Sequence, residues 1–437
     1  MEWGWRVKKR VLVYPCGTEI GLEIYRAVNS SIHFELIGGS STYDHGRFVY
    51  EKHIDNLPFI EDASTIEEII IFNRMLEENK IDFIYPAMDG VLYKLGQYKD
   101  LLTPILIAPS AKTVATARSK AKTYELLKDC IEVPKRYDTI DQIEQYPVFI
   151  KPDVGQGSKN AMMISNPHQL RYEMEKVGCA EMLILEYLPG EEYTIDCFTN
   201  EEGRLIYAGG RTRKRIKNGI SVNAIEYQDS EFFRIAAMIN SVVKQKGGWF
   251  FQLKKNSKGR YSLLEIAARI AGTSSFTRNM GVNLPLLTLH LFNGSKIDSV
   301  IKNDYHLELD RALYNKFQSD LRYDRVYVDY DDTLVTEGRV NTQLLAFLFQ
   351  CRNESIPVIL LSKHQGNLVD ELKKMRVYQI FDNVLHLEGT EEKYQYISGD
   401  QPIFIDDSYG ERERVHQMLK IPVFDVHMIE CLLHHIG

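Results

Sequence analysis

Short apolar, β-branched runs that stop at a turn residue, each followed by a stretch of helical apolar period, recur at both ends of this chain and leave few architectures open to it. Residues 10–14, RVLVY, make the first such run, and Pro15-Cys16-Gly17-Thr18-Glu19 breaks it. Ile20, Ile24 and Val28 then fall on one helical face. A second strand is predicted at 34–37, ending at Gly38-Gly39-Ser40-Ser41, then a helix at 64–79 and a strand at 83–85 that closes at Pro86-Ala87-Met88-Asp89. Strands alternating with helices predict a parallel α/β sheet, and ligands of such sheets sit beyond the strand C-termini. Gly17 and Asp89 fall at that edge; Asp89 reads equally as a substrate contact or as a helix N-cap.

The pattern loosens near Ala108-Pro109-Ser110, and a helix is predicted from near Ser119 through Leu127. From 148 to 275 the chain reads mainly as strands with glycine-rich turns, and 303–322 reads as a polar, helical linker. Val326-Tyr327-Val328 then reopens the strand–helix alternation, which runs to the end. No internal repeat or low-complexity tract is evident. At roughly 100–200 residues per domain, a chain of this length makes two to four. The expected class is α/β with an α+β middle portion, in domains 1–110, 111–310 and 311–437.

Charge and cysteine usage narrow the function classes. Lys plus Arg is 53 and Asp plus Glu is 60, a net charge of −7, which argues against nucleic-acid binding by bulk charge and against attachment to anionic membranes. The six cysteines, at 16, 130, 179, 197, 351 and 431, form no C-x-x-C pair, so neither a zinc knuckle nor a thioredoxin-type motif is suggested. Dispersed thiols fit a reducing compartment, and no signal-peptide core or membrane-length apolar run stands against a cytoplasmic location.

The first chemical constellation begins at Pro147-Val148-Phe149-Ile150-Lys151-Pro152, an apolar strand ending in a lysine, followed at once by Asp153-Val154-Gly155-Gln156-Gly157-Ser158-Lys159. A glycine loop lets backbone N–H groups approach phosphate oxygens, and a strand lysine adds a point charge against them. Alone, such a hairpin is more often only a turn. Further features add to it: Leu183-Ile184-Leu185-Glu186-Tyr187-Leu188 carries a carboxylate near a strand end and leads through Gly190 to Glu192. Residues 249–253 are predicted to pair with 263–269 across Asn256-Ser257-Lys258-Gly259, which would aim Gln252 and Glu265 at one Mg²⁺. An acidic residue between two apolar runs is costly to bury without a role.

The ordered set Lys120, Lys151 with its glycine loop, Glu186, Glu192, Gln252, Glu265 and Arg269 resembles the ATP-grasp superfamily, specifically its carbamoyl-phosphate-synthase-like branch, over roughly residues 10–300. The resemblance implies an N-terminal substrate domain (a pre-ATP-grasp domain) and an ATP-grasp domain, with ATP and Mg²⁺, or Mn²⁺ in its place, as cofactors. By it, Lys120 and Lys151 contact phosphates, and the 153–158 loop, with Gly155, Gly157 and Ser158, covers the β- and γ-phosphates. Glu186, Tyr187 and Leu188 meet the adenine, and Glu192 holds the ribose. Gln252 and Glu265 bind metal, and Arg269 stabilises the transferring phosphoryl group. The family's Glu-x-Asn-x-Arg pattern has Ala267 here in place of Asn, so the second Mg²⁺ would lose a ligand. The activity implied is ADP-forming joining of a small-molecule carboxylate to an amine. Residues 211–217 carry five cations in seven positions, Arg211, Arg213, Lys214, Arg215 and Lys217, readable as a solvated turn or as a grip on an anionic substrate or the γ-phosphate.

A second constellation starts at Val326-Tyr327-Val328-Asp329-Tyr330-Asp331-Asp332-Thr333, a strand ending in three carboxylates within four residues, an arrangement that calls for a cation. Val358-Ile359-Leu360-Leu361-Ser362 ends in a hydroxyl, Lys393 follows in a helical segment, and Pro402-Ile403-Phe404-Ile405-Asp406-Asp407 ends in two more carboxylates. In this order the four resemble the haloacid-dehalogenase (HAD) phosphatase superfamily, with a Rossmann-like fold over 324–437. The resemblance implies that Asp329 is the nucleophile, Asp331 the general acid/base, and Ser362 and Lys393 the phosphoryl-binding pair. Asp329, the Asp331 carbonyl, Asp406 and Asp407 would hold Mg²⁺, and Thr333 would orient the motif. Only 28 residues separate Thr333 from Ser362 and 30 separate Ser362 from Lys393, so neither gap holds a cap domain.

Three readings follow: a bifunctional ligase and phosphohydrolase acting on a phosphorylated substrate; a ligase whose HAD part is structural or regulatory; and a nucleotide-binding module without ligase activity, suggested by Ala267. A homodimer is the assembly the ATP-grasp resemblance suggests.

Overall fold

The computed structural model describes residues 7–61, 64–155, 160–177, 182–217, 220–314, 317 and 319–433. The chain divides into two compact units, one up to Leu313 and one from Tyr314. Each has its own hydrophobic core.

The first unit opens with a five-stranded parallel sheet in the order His53–Ile54, Phe34–Gly39, Lys9–Tyr14, Phe83–Pro86, Ile105–Leu106. Val11, Leu12, Val13 and Tyr14 are all fully buried, as a strand covered on both faces requires. Leu12 and Tyr14 pack with Phe72 and Leu76 on one face, while Val11 and Val13 meet Ile24 and Phe34 on the other. Thr18 caps the helix Glu19–Val28 by accepting from the Gly21 N–H at 3.0 Å.

Two antiparallel sheets follow. One runs Arg136–Tyr137, Met182–Glu186, Val148–Pro152, Met162–Ile164; the other runs Leu205–Thr212, Glu192–Thr199, Gly247–Lys255, Tyr261–Ala267. The pairing expected across Asn256–Gly259 is present, with Gln252 opposite Glu265. The ladder slips beside that pair: Leu253 faces Leu263, so Leu264 is a bulged residue. The strand-rich stretch also holds two helices the sequence reading passed over, Pro167–Val177 and Ser230–Val243. The second is amphipathic, burying Phe232, Ile235, Ala236, Ile239 and Val243.

The predicted helical linker at 303–322 is a correction. Its described residues form no helix; Glu308–Asp310 adds a strand beside Ile220–Ile225, and Asn303 and Tyr305 bond back to Met280 and Asn279. Polar composition suggested a solvated helix, but backbone pairing across the sheet edge uses the same residues differently.

The second unit has a five-stranded parallel sheet ordered Asn383–His386, Val358–Ser362, Arg325–Val328, Pro402–Ile405, Val423–Phe424. The central strand buries Val326, Tyr327 and Val328. Among the described residues no helix is long and apolar enough to cross a membrane.

Candidate active sites

In the first unit, two cavities of about 420 and 150 Å³ share Lys120, Gly155, Arg213, Gln252 and Glu265 in their walls, so they form one continuous cleft. The smaller one is bounded by Lys151, Glu186, Tyr187, Leu188 and Glu192, the larger by Asp89 and Arg269. Of the residues singled out in this unit, Gly157 and Ser158 lie outside the described residues; Lys120, Lys151, Gly155, Glu186, Tyr187, Leu188, Glu192, Gln252, Glu265 and Arg269 border this cleft.

Local structure explains their placement. Ser119 caps the helix Lys120–Leu127, and Asp153 ties that helix to the loop after the Val148–Pro152 strand: it accepts from Ser119 Oγ and from the Ala121 N–H, both at 2.7 Å. Lys120 Nζ donates to the carbonyls of Asp153 and Gly155 at 3.1 and 3.4 Å. The bulge at Leu264 takes its carbonyl out of the ladder, and Lys151 Nζ and the Tyr124 hydroxyl both donate to it, at 3.0 and 2.7 Å. Lys151 is buried, and burial lowers its ammonium to about 7; the Glu265 carboxylate opposes this, and the Lys120 charge adds to it.

Glu186 Oε1 accepts from the Lys135 N–H at 2.9 Å, and Lys254 lies over the Tyr187 ring. The Glu265 carboxylate acts through its charge on both Lys151 and the Tyr124 hydroxyl, which it raises.

Arg269 donates to Asp89 Oδ2 at 2.5 Å and lies over the Phe250 ring. Asp89 is therefore not an N-cap: Met88 holds that position, without a side-chain cap.

The cationic run separates into distinct roles. Arg211 is fully buried and forked onto Asp196, with Thr273 accepting from it and Thr277 donating to Asp196 at 2.5 Å. Arg215 pairs with Asp310 at 2.6 Å. Arg213 borders both cavities, pairs with Glu192 and donates to Gln252 Oε1 at 2.9 Å. The run is therefore not one uniform cluster: Arg211, on the strand Leu205–Thr212, is buried, whereas Arg213, just past the strand end, lines the cleft, a contrast its charge density hid.

In the second unit, Asp329, Asp406 and Asp407 bring one carboxylate oxygen each to within 4.8 Å of the others. Buried Lys393, in a 3-10 turn, donates to Asp329 at 2.8 Å and to Asp406 at 2.6 Å. Burial and the neighbouring Asp329 charge push Asp406 up to about 7, and burial raises Asp329. Ser362 is buried, and its hydroxyl lies by the Asp329 carboxyl, which it acts to lower. Thr333 Oγ accepts from the Asp407 N–H at 2.8 Å. Asp331 stands apart from the three-carboxylate group, exposed, with its carboxylate 2.9 Å from His364 Nδ1. His364, adjacent to the predicted Ser362 strand end, carried no signal of its own in the sequence.

The family model described as ATP-grasp in the biosynthetic pathway with Ter operon matches residues 178–311. The chain is 27% identical over 128 residues to a D-alanine–D-alanine ligase of Fusobacterium nucleatum, a match over 28% of this chain and 44% of that one; it thus spans less than half of that relative's length. Among solved structures it is similar to the Campylobacter jejuni biotin carboxylase complex with β,γ-ATP, at 14% identity and TM-score 0.56, covering 69% of this chain and 74% of that one. It also resembles Staphylococcus aureus N5-carboxyaminoimidazole synthetase complexed with ADP, at 13% identity, TM-score 0.56, covering 68% and 81%. Residues 178–311 thus match an ATP-grasp model, and about two thirds of the chain shares the fold of these ATP- and ADP-complexed structures. A third structure of similar fold is the L-amino acid ligase of Bacillus licheniformis, at 17% identity, TM-score 0.53, covering 66% and 74%.

Proposed function

We propose that this chain is an ADP-forming carboxylate–amine ligase whose second unit is a HAD-type, Mg²⁺-dependent phosphohydrolase. The observation that carries the ligase reading is the continuous cleft in which Lys120, Lys151, Glu186, Glu192, Gln252, Glu265 and Arg269 meet. Gln252 and Glu265 face each other across paired strands, and Asp329, Asp406 and Asp407 converge; both are the hard oxygen sets that Mg²⁺ takes. Bound there, Mg²⁺ would neutralise phosphate charge.

In the cleft, a substrate carboxylate oxygen attacks the γ-phosphorus of ATP, the bond to the β–γ bridging oxygen breaks, and ADP leaves. An amine nitrogen then attacks the acyl-phosphate carbon, expels phosphate and gives up a proton. Such transfer needs positioning and charge neutralisation more than covalent help. Lys120 and Lys151 supply charge to the phosphates, the Gly155 loop supplies backbone N–H groups, and Arg269, held by Asp89, faces the group in transit. In the second unit an Asp329 oxygen attacks the phosphorus of a phosphomonoester while Asp331 protonates the departing alkoxide. Lys393 and Ser362 hold the phosphoryl oxygens, and water then cleaves the aspartyl-phosphate with Asp331 as base.

ADP release screened over pairs of carboxylic acids and amines, with mass spectrometry of the product, tests the ligase reading. Nucleotide binding without ADP formation for any pair would count against it. For the second unit, Mg²⁺-dependent hydrolysis of p-nitrophenyl phosphate should disappear in Asp329→Asn; equal rates would remove the HAD assignment.

A further inference from the structure

We infer that Cys16, Asp44 and His53 bind one divalent cation of the borderline-soft class to which Zn²⁺ belongs, in the N-terminal parallel sheet and with residues that neither proposed active site uses. One ligand atom from each residue lies within 4.8 Å of the other two. Cys16 Sγ is 3.3 Å from His53 Nε2, close to the separation of about 3.5 Å expected for sulfur and nitrogen ligands of one tetrahedral zinc. A thiolate, an imidazole and a carboxylate select zinc over Mg²⁺ or Ca²⁺, which take oxygen.

The surroundings orient these groups as ligands. His53 Nδ1 is buried without a hydrogen bond among the described residues, and Asp55 Oδ1, which Arg47 holds at 2.9 Å, lies 2.8 Å from it, within reach to become the outer carboxylate that metal-bound imidazoles commonly carry. Asp44 Oδ1 accepts from the Gly46 N–H at 2.9 Å, and Oδ2 accepts from Ser40 Oγ at 2.8 Å. Ser40 Oγ is also 3.2 Å from Cys16 Sγ, so it or water is placed to complete four-coordination. Two glycines make the approach feasible: a Cβ on Gly46 would sit 2.2 Å from Cys16 Sγ, and one on Gly17 would sit 2.3 Å from Asp44 Cγ. The same trio could be read as a thiol nucleophile with a His–Asp relay, but Cys16 has no exposed surface, and an electrophilic carbon must reach Sγ whereas an ion need only fit between ligands. A dipositive ion also offsets the two negative charges of thiolate and carboxylate, which would be costly to bury alone. The ion would fasten the turn that leads into Thr18 and Glu19, both in the wall of the larger cavity.

The test uses the full chain loaded with Co²⁺ in the presence of excess Mg²⁺, which fills oxygen-only sites. The expected result is one Co²⁺ per chain with a near-ultraviolet sulfur-to-cobalt charge-transfer band, lost in Cys16→Ser. Asp55→Asn keeps every ligand and should retain the band while weakening affinity by roughly 10–100-fold; its circular dichroism checks that the fold persists. No band in the wild type, or a band unchanged by Cys16→Ser, overturns the site. So would rapid alkylation of Cys16, mapped by peptide mass spectrometry, that added Zn²⁺ does not slow.

Discussion

In the proposed ligase site Lys151 serves the nucleotide's phosphates with a positive charge, yet burial lowers its ammonium to about 7. A bound polyphosphate would restore the charged form by supplying an opposite charge, so binding and protonation are linked. The free-state value lies below the bound-state one. Mg²⁺–ADP affinity should therefore be flat below about pH 7 and fall as pH rises above it, by at most about tenfold per unit. Calorimetry at pH 8 in buffers of different ionisation enthalpy should register uptake of up to one proton per nucleotide, absent in Lys151→Met; no uptake in the wild type would refute the linkage. At the other end of the cleft, Asp89 orients Arg269. Asp89→Asn should lower the turnover of ADP release more than it changes nucleotide affinity, because a guanidinium without its carboxylate partner loses its fixed position. A matching loss in nucleotide affinity would place Asp89 elsewhere in the mechanism.

Among elements, the bulged hairpin of Gly247–Lys255 and Tyr261–Ala267 does most to shape the cleft. Its slip at Leu264 both aims Glu265 across from Gln252 and frees the carbonyl that positions Lys151. Behind it, the buried Asp196–Arg211 pair joins two neighbouring strands to Thr273 and Thr277. Removing one partner leaves an uncompensated buried charge. Asp196→Ala should therefore cost about 3–5 kcal/mol of unfolding free energy in urea titrations, while Arg215→Ala, which breaks the exposed Arg215–Asp310 pair, should cost no more than about 1 kcal/mol. A small loss for Asp196→Ala would mean that the strands are held by packing alone.

At the scale of the molecule, two units with separate cores carry two chemically distinct sites. The proposed activities should therefore be separable by single substitutions. Asp329→Asn should abolish phosphomonoester hydrolysis and leave ADP formation near the wild-type rate, and Lys151→Met should do the reverse. Loss of both activities in either variant would show that the two sites are coupled.

Much of this was legible in the chain because strand–turn–helix units are local. Apolar runs such as RVLVY and the turn residues after them place Gly17, Asp89, Lys151, Asp329 and Asp406 at strand ends without reference to the rest of the fold. The pairing of 249–253 with 263–269 was legible for the same reason, its turn being short. What the tertiary structure decided involves partners far apart in sequence: Asp89 with Arg269, Arg213 between Glu192 and Gln252, and Cys16 beside Asp44 and His53. The cationic run looked uniform because sequence records charge but not burial; Arg211 lies on the strand Leu205–Thr212 and is buried, while Arg213 follows the strand end and lines the cleft. Periodicity and turn chemistry act over a few residues and are written in the sequence, whereas ion pairs, bulges and ligand clusters depend on which surfaces the packed sheets bring into contact.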